Sequence, residues 1–142
     1  MTGVKIQVLY VGKPRDKHAN AIAAEFVKRT SRWMTCDMRE IDPRRGGPWD
    51  KHLSARKVAL DPAGQQIDSP KFANLWADWE REGRDIVFVV GGHDGVPGEW
   101  RDKADIVLSL SKMTFPHELA RALLAEQIYR ALATLRGHPY PR

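Results

Sequence analysis

The segment Ile86-Val87-Phe88-Val89-Val90 constrains the fold of this chain more than any other feature. Successive side chains of a strand point to opposite faces of the sheet, so five consecutive apolar residues require burial on both faces. Such a strand is typical of the centre of a parallel sheet, where each face is covered by other elements. The segment therefore predicts an α/β fold with a mostly parallel sheet and helices on both faces.

The remainder of the chain alternates between strand-like and helix-like segments. β-branched and apolar runs predict four further strands, at residues 4–11, 36–41, 58–60 and 106–110. The spacing of apolar residues predicts helices at 19–30, 70–82 and 116–135, with a short helix at 101–104. No linker or internal repeat interrupts this order, so we predict a single domain over residues 1–142.

Local residue choices predict where these elements begin, end and face the core. Asp16 lies near the start of the first helix, and Ser69 is predicted to cap the second. Residues 61–64, Asp-Pro-Ala-Gly, predict a turn that closes the third strand. On the first helix Ile22, Phe26 and Val27 follow helical spacing. On the second, Phe72, Leu75, Trp76 and Trp79 are the predicted buried residues.

Positive charge is concentrated in the N-terminal part of the chain. Of 142 residues, 23 are Lys or Arg and 18 are Asp or Glu, which gives a net charge of +5. Residues 42–57 form an aperiodic basic segment that we interpret as a loop. This distribution favours a polyanionic partner, although a merely solvated basic surface is the alternative interpretation.

Cysteine usage and the N-terminal segment indicate the cellular compartment in which the protein functions. Cys36 is the single cysteine, so an internal disulfide or a cysteine-based zinc site is excluded. The first residues form a strand-like pattern without the features of a secretory leader, and no apolar run is long enough to span a membrane. We therefore expect a cytoplasmic protein with no membrane partner.

Two loop segments are candidates for a ligand site. Residues 91–97, Gly-Gly-His-Asp-Gly-Val-Pro, leave the carboxyl end of the predicted central strand, where open α/β sheets bind ligands. They match neither the dinucleotide-binding fingerprint nor a phosphate-binding P-loop, which disfavours a classical nucleotide site. The alternative is a turn that needs glycine for its backbone angles. Residues 108–118 run from a strand through a polar loop into a helix opened by Pro116.

Taken together, these segments resemble the RlmH family of small SPOUT-class methyltransferases. The glycine loop, the run LSLSKMTFPHELARALLAEQIYRA, the end GHPYPR and the segment LDPAGQQIDSPKFA carry the resemblance, which covers essentially the whole chain. It implies a SPOUT-type α/β domain with a C-terminal trefoil knot. The implied activity is methylation of N3 of a pseudouridine in the helix 69 loop of 23S rRNA, on the assembled ribosome.

The resemblance also implies S-adenosylmethionine as the cofactor, held largely by backbone groups. The matching positions are Leu60, Gly91, Gly92, Leu110, Ser111, Lys112, Met113, Thr114 and Phe115. Their residue types suit this task, because a neutral adenosyl group needs apolar walls and backbone hydrogen bonds rather than charge.

The catalytic positions that the resemblance implies are His117, Arg130, Tyr140 and Arg142, with Glu126 as an organiser. N3 of a pseudouridine is a weakly acidic imide, so nearby positive charge would stabilise the anion that attacks the methyl group. Glu126 and Arg130 share a helix face, and the alternative is an ordinary ion pair. His117 could equally be a surface histidine at a helix start. The other histidines lack metal-ligand spacing, so we expect no metal.

The last predicted helix carries leucine and alanine around most of its circumference. A second chain could cover part of this surface, and the resemblance likewise implies a homodimer with its active site across the interface. The alternative is a helix buried entirely within its own domain.

Two departures from the family pattern leave the function open. Residues 42–57 are shorter than the corresponding family segment, and Pro141 replaces the usual tail histidine. We expect Arg44, Arg45, Lys51, Arg56 and Lys57 to contact phosphates of the ribosome and its 23S rRNA. A ribosome-binding factor that has lost catalysis is the first alternative function, and another nucleotide-dependent α/β enzyme is a more distant one.

Overall fold

A computed structural model describes residues 3–141, in which five strands alternate with four α-helices. The strands are β1 (Lys5–Val11), β2 (Thr35–Ile41), β3 (Arg56–Gln66), β4 (Ile86–Val90) and β5 (Ile106–Ser109). The helices are α1 (Lys17–Thr30), α2 (Ser69–Glu82), α3 (Gly98–Asp102) and α4 (His117–Leu135), and a 3₁₀ turn spans Pro43–Arg45.

The five strands form one parallel sheet in the order β2-β1-β4-β3-β5. The predicted central strand β4 lies between β1 and β3, with Phe88 in register with Val8 and Val58. All five of its residues are buried, which confirms the α/β prediction. Because the strands are parallel, the loops that follow their carboxyl ends all emerge at one edge of the sheet.

Helices lie on both faces of the sheet, but unequally. On one face α1, α2 and α4 pack over a core that includes the fully buried Trp76, stacked on Phe88. On the other face, α3 packs against the sheet through Trp100, and the basic loop (residues 42–57) contributes Trp49 to the same core. The Trp49 indole donates a hydrogen bond to the Trp100 carbonyl at 2.9 Å, so this loop has a structural role as well as its charge.

Several predicted boundaries differ from the structure. β3 does not end at Leu60 but continues to Gln66, with a register shift against β5 between Leu60 and Gln65. The Asp61 carboxylate accepts a hydrogen bond from the Ala63 amide at 2.8 Å, so the turn-like residues form an irregularity within the strand. The cap of α2 is Asp68 rather than Ser69, because the Asp68 carboxylate accepts from the backbone of the first turn. The short helix α3 begins three residues earlier than predicted.

The cap of α1 is as predicted: Asp16 is the N-cap, as its position indicated. Ala19 and Ala23 are buried, Phe26 and Val27 are half-buried, and Ile22 remains 46% exposed. On α2 the predicted stripe is confirmed: Phe72, Trp76 and Trp79 are buried, and Leu75 is half-buried. The trefoil knot stays a prediction.

Candidate active site

A cavity of about 180 Å³ lies at the carboxyl edge of the sheet. Its lining includes eight of the nine predicted cofactor positions: Leu60, Gly91, Gly92, Leu110, Ser111, Met113, Thr114 and Phe115. The ninth, Lys112, is exposed and is not part of the lining. Residues from three separate segments of the chain therefore meet around one cavity, which the parallel order of the strands makes possible.

The glycine loop after β4 is a tight turn in its own right. Gly92 pairs with Gly95 in an antiparallel bridge, and a Cβ atom at Gly91 would lie 2.2 Å from the Gly95 carbonyl carbon. A Cβ atom at Gly92 would lie 3.0 Å from the carbonyl oxygen of Val11 in β1. Backbone packing therefore explains both glycines, and a larger side chain at Gly92 would disturb β1 as well as the cavity.

Two serines hold the loop that follows β5. The Ser109 hydroxyl donates to the Ser111 carbonyl at 2.9 Å, and the Ser111 hydroxyl accepts from the Met113 amide at 3.0 Å. Leu110 and Phe115 line the first cavity and also a neighbouring one of about 420 Å³, whose walls are mostly apolar. The loop therefore presents apolar side chains and backbone groups to both cavities.

Asp61, which the sequence predicts only as part of a turn, is a cavity residue. Its carboxylate lies on the lining and is largely buried, 3.5 Å from the guanidinium of Arg101. The signal was present in the sequence, because an acidic residue directly follows the buried strand segment that ends at Leu60.

The predicted catalytic residues occupy two separate places in one chain. His117, in the first turn of α4, lines the cavity. Arg130 lies thirteen residues further along the same helix, which at about 1.5 Å per residue is about 20 Å along the axis. Arg142 lies outside the described residues. A single copy of the described chain therefore does not bring His117 and Arg130 together.

Around Arg130 the structure shows a compact polar cluster. Glu126 accepts hydrogen bonds from the Arg130 guanidinium at 2.7 Å and from the Tyr140 hydroxyl at 2.6 Å. The hydrogen bond to Glu126 raises the pKa of Arg130, so the guanidinium stays charged. Burial, together with the hydrogen bond to Glu126, raises the pKa of Tyr140 to about 12, so its phenol is a neutral donor near pH 7.

Aromatic packing holds the C-terminal tail against the helices. The Tyr140 ring lies 4.7 Å from the Tyr129 ring and 6.1 Å from the Phe26 ring, both edge-on. The Arg130 guanidinium lies 5.2 Å from the centre of the Tyr140 ring. The position of Tyr140 is therefore set by its contacts with α1 and α4.

The basic residues expected to contact phosphates divide into two groups. Arg56 forms an ion pair with Glu82, and the Lys57 ammonium donates to the carbonyls of Leu53 and Ala55. The Arg44 guanidinium donates hydrogen bonds to the Asp42 carboxylate at 3.1 Å, and Arg45 lies 4.0 Å from that carboxylate, but both arginine side chains remain 88% exposed. Lys51 is exposed as well. The first two side chains are engaged inside the fold, and the other three face solvent.

Comparison with known proteins identifies the class to which this parallel sheet with its carboxyl-edge cavity belongs. The profile of the family described as "Predicted SPOUT methyltransferase" matches residues 4–141. A structure with the same fold is that of the SpoU methyltransferase AviRb from Streptomyces viridochromogenes, in complex with AdoMet. It aligns at a TM-score of 0.53 and 11% identity over 94% of this chain and 60% of that chain.

Relatives with higher sequence identity identify the family within this class. A protein of Solibacter usitatus named Ribosomal RNA large subunit methyltransferase H is 58% identical over 98% of this chain and 100% of its own length. A protein of the same name from Chromobacterium violaceum is 37% identical over 98% of this chain and 99% of its own length. The chain belongs to the SPOUT methyltransferases, in the family of Ribosomal RNA large subunit methyltransferase H.

No helix within residues 3–141 has the length and apolar character needed to cross a membrane. The expectation that the protein uses no metal stays a prediction.

Proposed function

We propose that this protein transfers the methyl group of S-adenosylmethionine to N3 of a pseudouridine in the helix 69 loop of 23S rRNA, on the assembled ribosome. The observation that carries the proposal is the meeting of the predicted cofactor positions around one cavity, in a chain 58% identical to a protein named as a large-subunit rRNA methyltransferase. This substrate would be met in the cytoplasm. We infer that one domain, spanning residues 1–142, carries the activity.

The cavity residues fit S-adenosylmethionine. The walls consist of leucine, phenylalanine and methionine side chains together with backbone groups of the glycine loop and of the loop that follows β5, in which Ser109 and Ser111 form hydrogen bonds. Such walls suit an adenosyl group. When bound, the cofactor supplies an electrophilic methyl group on a sulfonium. Leu60, Leu110 and Phe115 would exclude water from it, while backbone groups of residues 110–115 would orient it.

A homodimer would bring the two groups of catalytic residues together. Within one chain the outward stripe of α4 contains Leu119, which is 37% exposed, and the half-buried Leu123, Gln127 and Arg130. If two α4 helices pack antiparallel about Leu123, the first turn of α4 in one subunit, with the cavity that His117 lines, comes level with Arg130 of the partner subunit. This arrangement is isologous, so a dimer would contain two equivalent sites.

In such a composite site each side chain has a definite role. The Arg130 guanidinium would stabilise the imide anion that develops at N3 as it loses its proton. Tyr140 would hydrogen-bond or stack on the target base, and Arg142 would add positive charge. His117, on the cavity wall, would contact the base beside the cofactor methyl group. Holding the two reactants in line supplies most of the rate acceleration for a methyl transfer of this kind.

Exposed basic residues of the loop that follows β2 would position the protein on the ribosome. Arg44, Arg45 and Lys51 face solvent and are suited to phosphate contacts, whereas Arg56 and Lys57 are engaged within the fold. Binding through these residues should weaken steeply as salt concentration rises. Arg44→Gln combined with Arg45→Gln should reduce that salt dependence more than Arg56→Gln.

The decisive experiment incubates the purified protein with radiolabelled S-adenosylmethionine and ribosomes from a strain that lacks it. Label recovered as N3-methylpseudouridine from 23S rRNA would support the proposal, and protein-free rRNA should accept much less. Ribosome binding without methyl transfer would instead identify a binding factor that has lost catalysis. Mass spectrometry of the purified protein that detects a different bound nucleotide would point to another α/β enzyme.

A further inference from the structure

Arg121, in the second turn of α4, is fully buried although it carries a permanent charge. Its guanidinium stacks on the Tyr10 ring, 3.9 Å from the ring centre. The Nη2 atom donates hydrogen bonds to the carbonyl oxygens of Val11 at 3.0 Å and Gly12 at 3.2 Å. Arg121 therefore joins α4 to the carboxyl end of β1.

This burial is incompletely compensated. Among residues 3–141, the Nε and Nη1 atoms of Arg121 have no hydrogen-bond partner, and Nη1 lies 4.0 Å from the Glu118 carboxylate. Removing a charge and three N–H donors, one on Nε and two on Nη1, from water without full pairing destabilises the folded state. A methionine at this position would fill similar space without burying a charge, and against that gain stands the loss of the two hydrogen bonds to the Val11 and Gly12 carbonyls. Filling the space therefore does not by itself account for the arginine.

The contacts of Arg121 lead to the wall of the cavity. Val11, whose carbonyl it binds, packs against the cavity residue Gly92. His117 lies one turn earlier on the same face of α4, and a Cβ atom at Gly12 would lie 3.5 Å from Arg121 Nη2 and 3.9 Å from His117 Nε2. Arg121 thus contacts the backbone that lies between a cavity loop and a predicted catalytic side chain.

Glu118 strengthens the same junction from the neighbouring position. Its carboxylate accepts hydrogen bonds from the amides of Arg15 at 2.6 Å and Asp16 at 3.0 Å, and from the Asn20 side chain at 2.8 Å. The loop between β1 and α1 is therefore fastened to the first turn of α4. Movement of His117 relative to the glycine loop would require this junction to open.

We propose that Arg121 is a positioning residue, which holds His117 and the Val11–Gly12 backbone in fixed register beside the cofactor cavity. The proposal rests on the proposed function, because the register matters only if cofactor and base meet at His117. Arg121 would act through these groups and would not itself touch the substrate.

The test compares Arg121→Met and Arg121→Lys with the parent and with Arg136→Met, which removes an ion pair to Glu80 at the far end of the same helix. We measure the thermal unfolding midpoint, kcat and KM with ribosomes, and the NMR signals of the His117 imidazole. Arg121→Met should unfold at or above the parental midpoint, yet its kcat should fall at least about tenfold. Arg121→Lys, which keeps one donor group, should recover several-fold of that loss.

The imidazole signals separate this proposal from the proposed function. In Arg121→Met the His117 signals should shift or broaden, while in Arg136→Met they should match the parent, whether or not the ribosome is methylated. Unchanged His117 signals, or a kcat within twofold of an active parent, would overturn the positioning role. If Arg121→Met does not fold, the arginine is required for stability, and the argument from its uncompensated burial is wrong. Arg121→Lys then provides the test: a parental kcat together with parental His117 signals in that variant would overturn the positioning role.

Discussion

The separation of His117 from Arg130 leads to a complementation experiment. The two residues lie about 20 Å apart along α4, too far to act on one base within a single chain. His117→Ala and Arg130→Met should each reduce methyl transfer strongly as homodimers. In a mixed dimer, however, one of the two composite sites receives His117 from one chain and Arg130 from the other, so that site is intact.

The expected activity of the mixed dimer follows from the twofold symmetry of the proposed dimer. A purified mixed dimer has one intact site of two, so it should retain about half of the parental activity. A statistical mixture contains about one half mixed dimers and should therefore retain about one quarter. Co-expression of the two chains with different affinity tags, followed by tandem purification, isolates the mixed dimer for the assay with labelled cofactor and ribosomes.

A matched control uses two residues of the same cluster. Arg130 and Tyr140 both contact Glu126, so they belong to the same half of a composite site. The pair Arg130→Met with Tyr140→Phe leaves a lesion in each site, and their mixed dimer should show no restoration. If the His117→Ala and Arg130→Met mixed dimer is no more active than its parent homodimers, the composite-site reasoning is refuted.

Three further predictions concern the interface, acid stability and the core. Leu123→Glu should dissociate the proposed dimer into folded monomers, which sedimentation velocity detects. Ala125→Glu should instead unfold the chain, because Ala125 is buried within its own domain. An unaltered sedimentation coefficient for Leu123→Glu would place the interface elsewhere. Hydrogen bonds from the amides of Asp16 and Arg15, then from Asn20, lower the pKa of Glu118 to about 2 from the usual 4.5. The ionised carboxylate therefore stabilises the fold fully above pH 4.5, and this contribution is lost as the pH falls towards 2. Glu118→Gln should flatten the dependence of the thermal midpoint on pH across that window, and parallel curves for the two proteins would contradict the assignment. Trp76→Ala should lower the free energy of urea unfolding by about 3–5 kcal/mol, since the indole is fully buried against Phe88; a loss below about 1 kcal/mol would show that the site collapses around the smaller side chain.

The sequence alone determined the central strand, the order of elements and the two candidate loops that line the cavity. These features depend on local patterns: five apolar residues define a strand buried on both faces, and Phe72, Trp76 and Trp79 follow helical spacing. The glycine loop and the loop after β5 could be predicted as ligand-site candidates because they follow strands, and in a parallel sheet the strand ends share one edge. The resemblance to a family assigned the individual cofactor positions, including Leu60 within β3, and their chemistry.

Only the tertiary structure decided which side chains are engaged within the fold and which are not. Arg121 looks like an ordinary charged helix residue in sequence, and its burial depends on Tyr10 and Val11, which lie more than a hundred residues earlier. Lys57 counts as a basic residue in composition, but its ammonium donates to backbone carbonyls nearby. Ile22 fits an apolar stripe, yet the packing of α1 on α4 through small residues leaves it exposed. Burial and pairing depend on contacts between segments distant in sequence, which residue spacing within one segment does not contain.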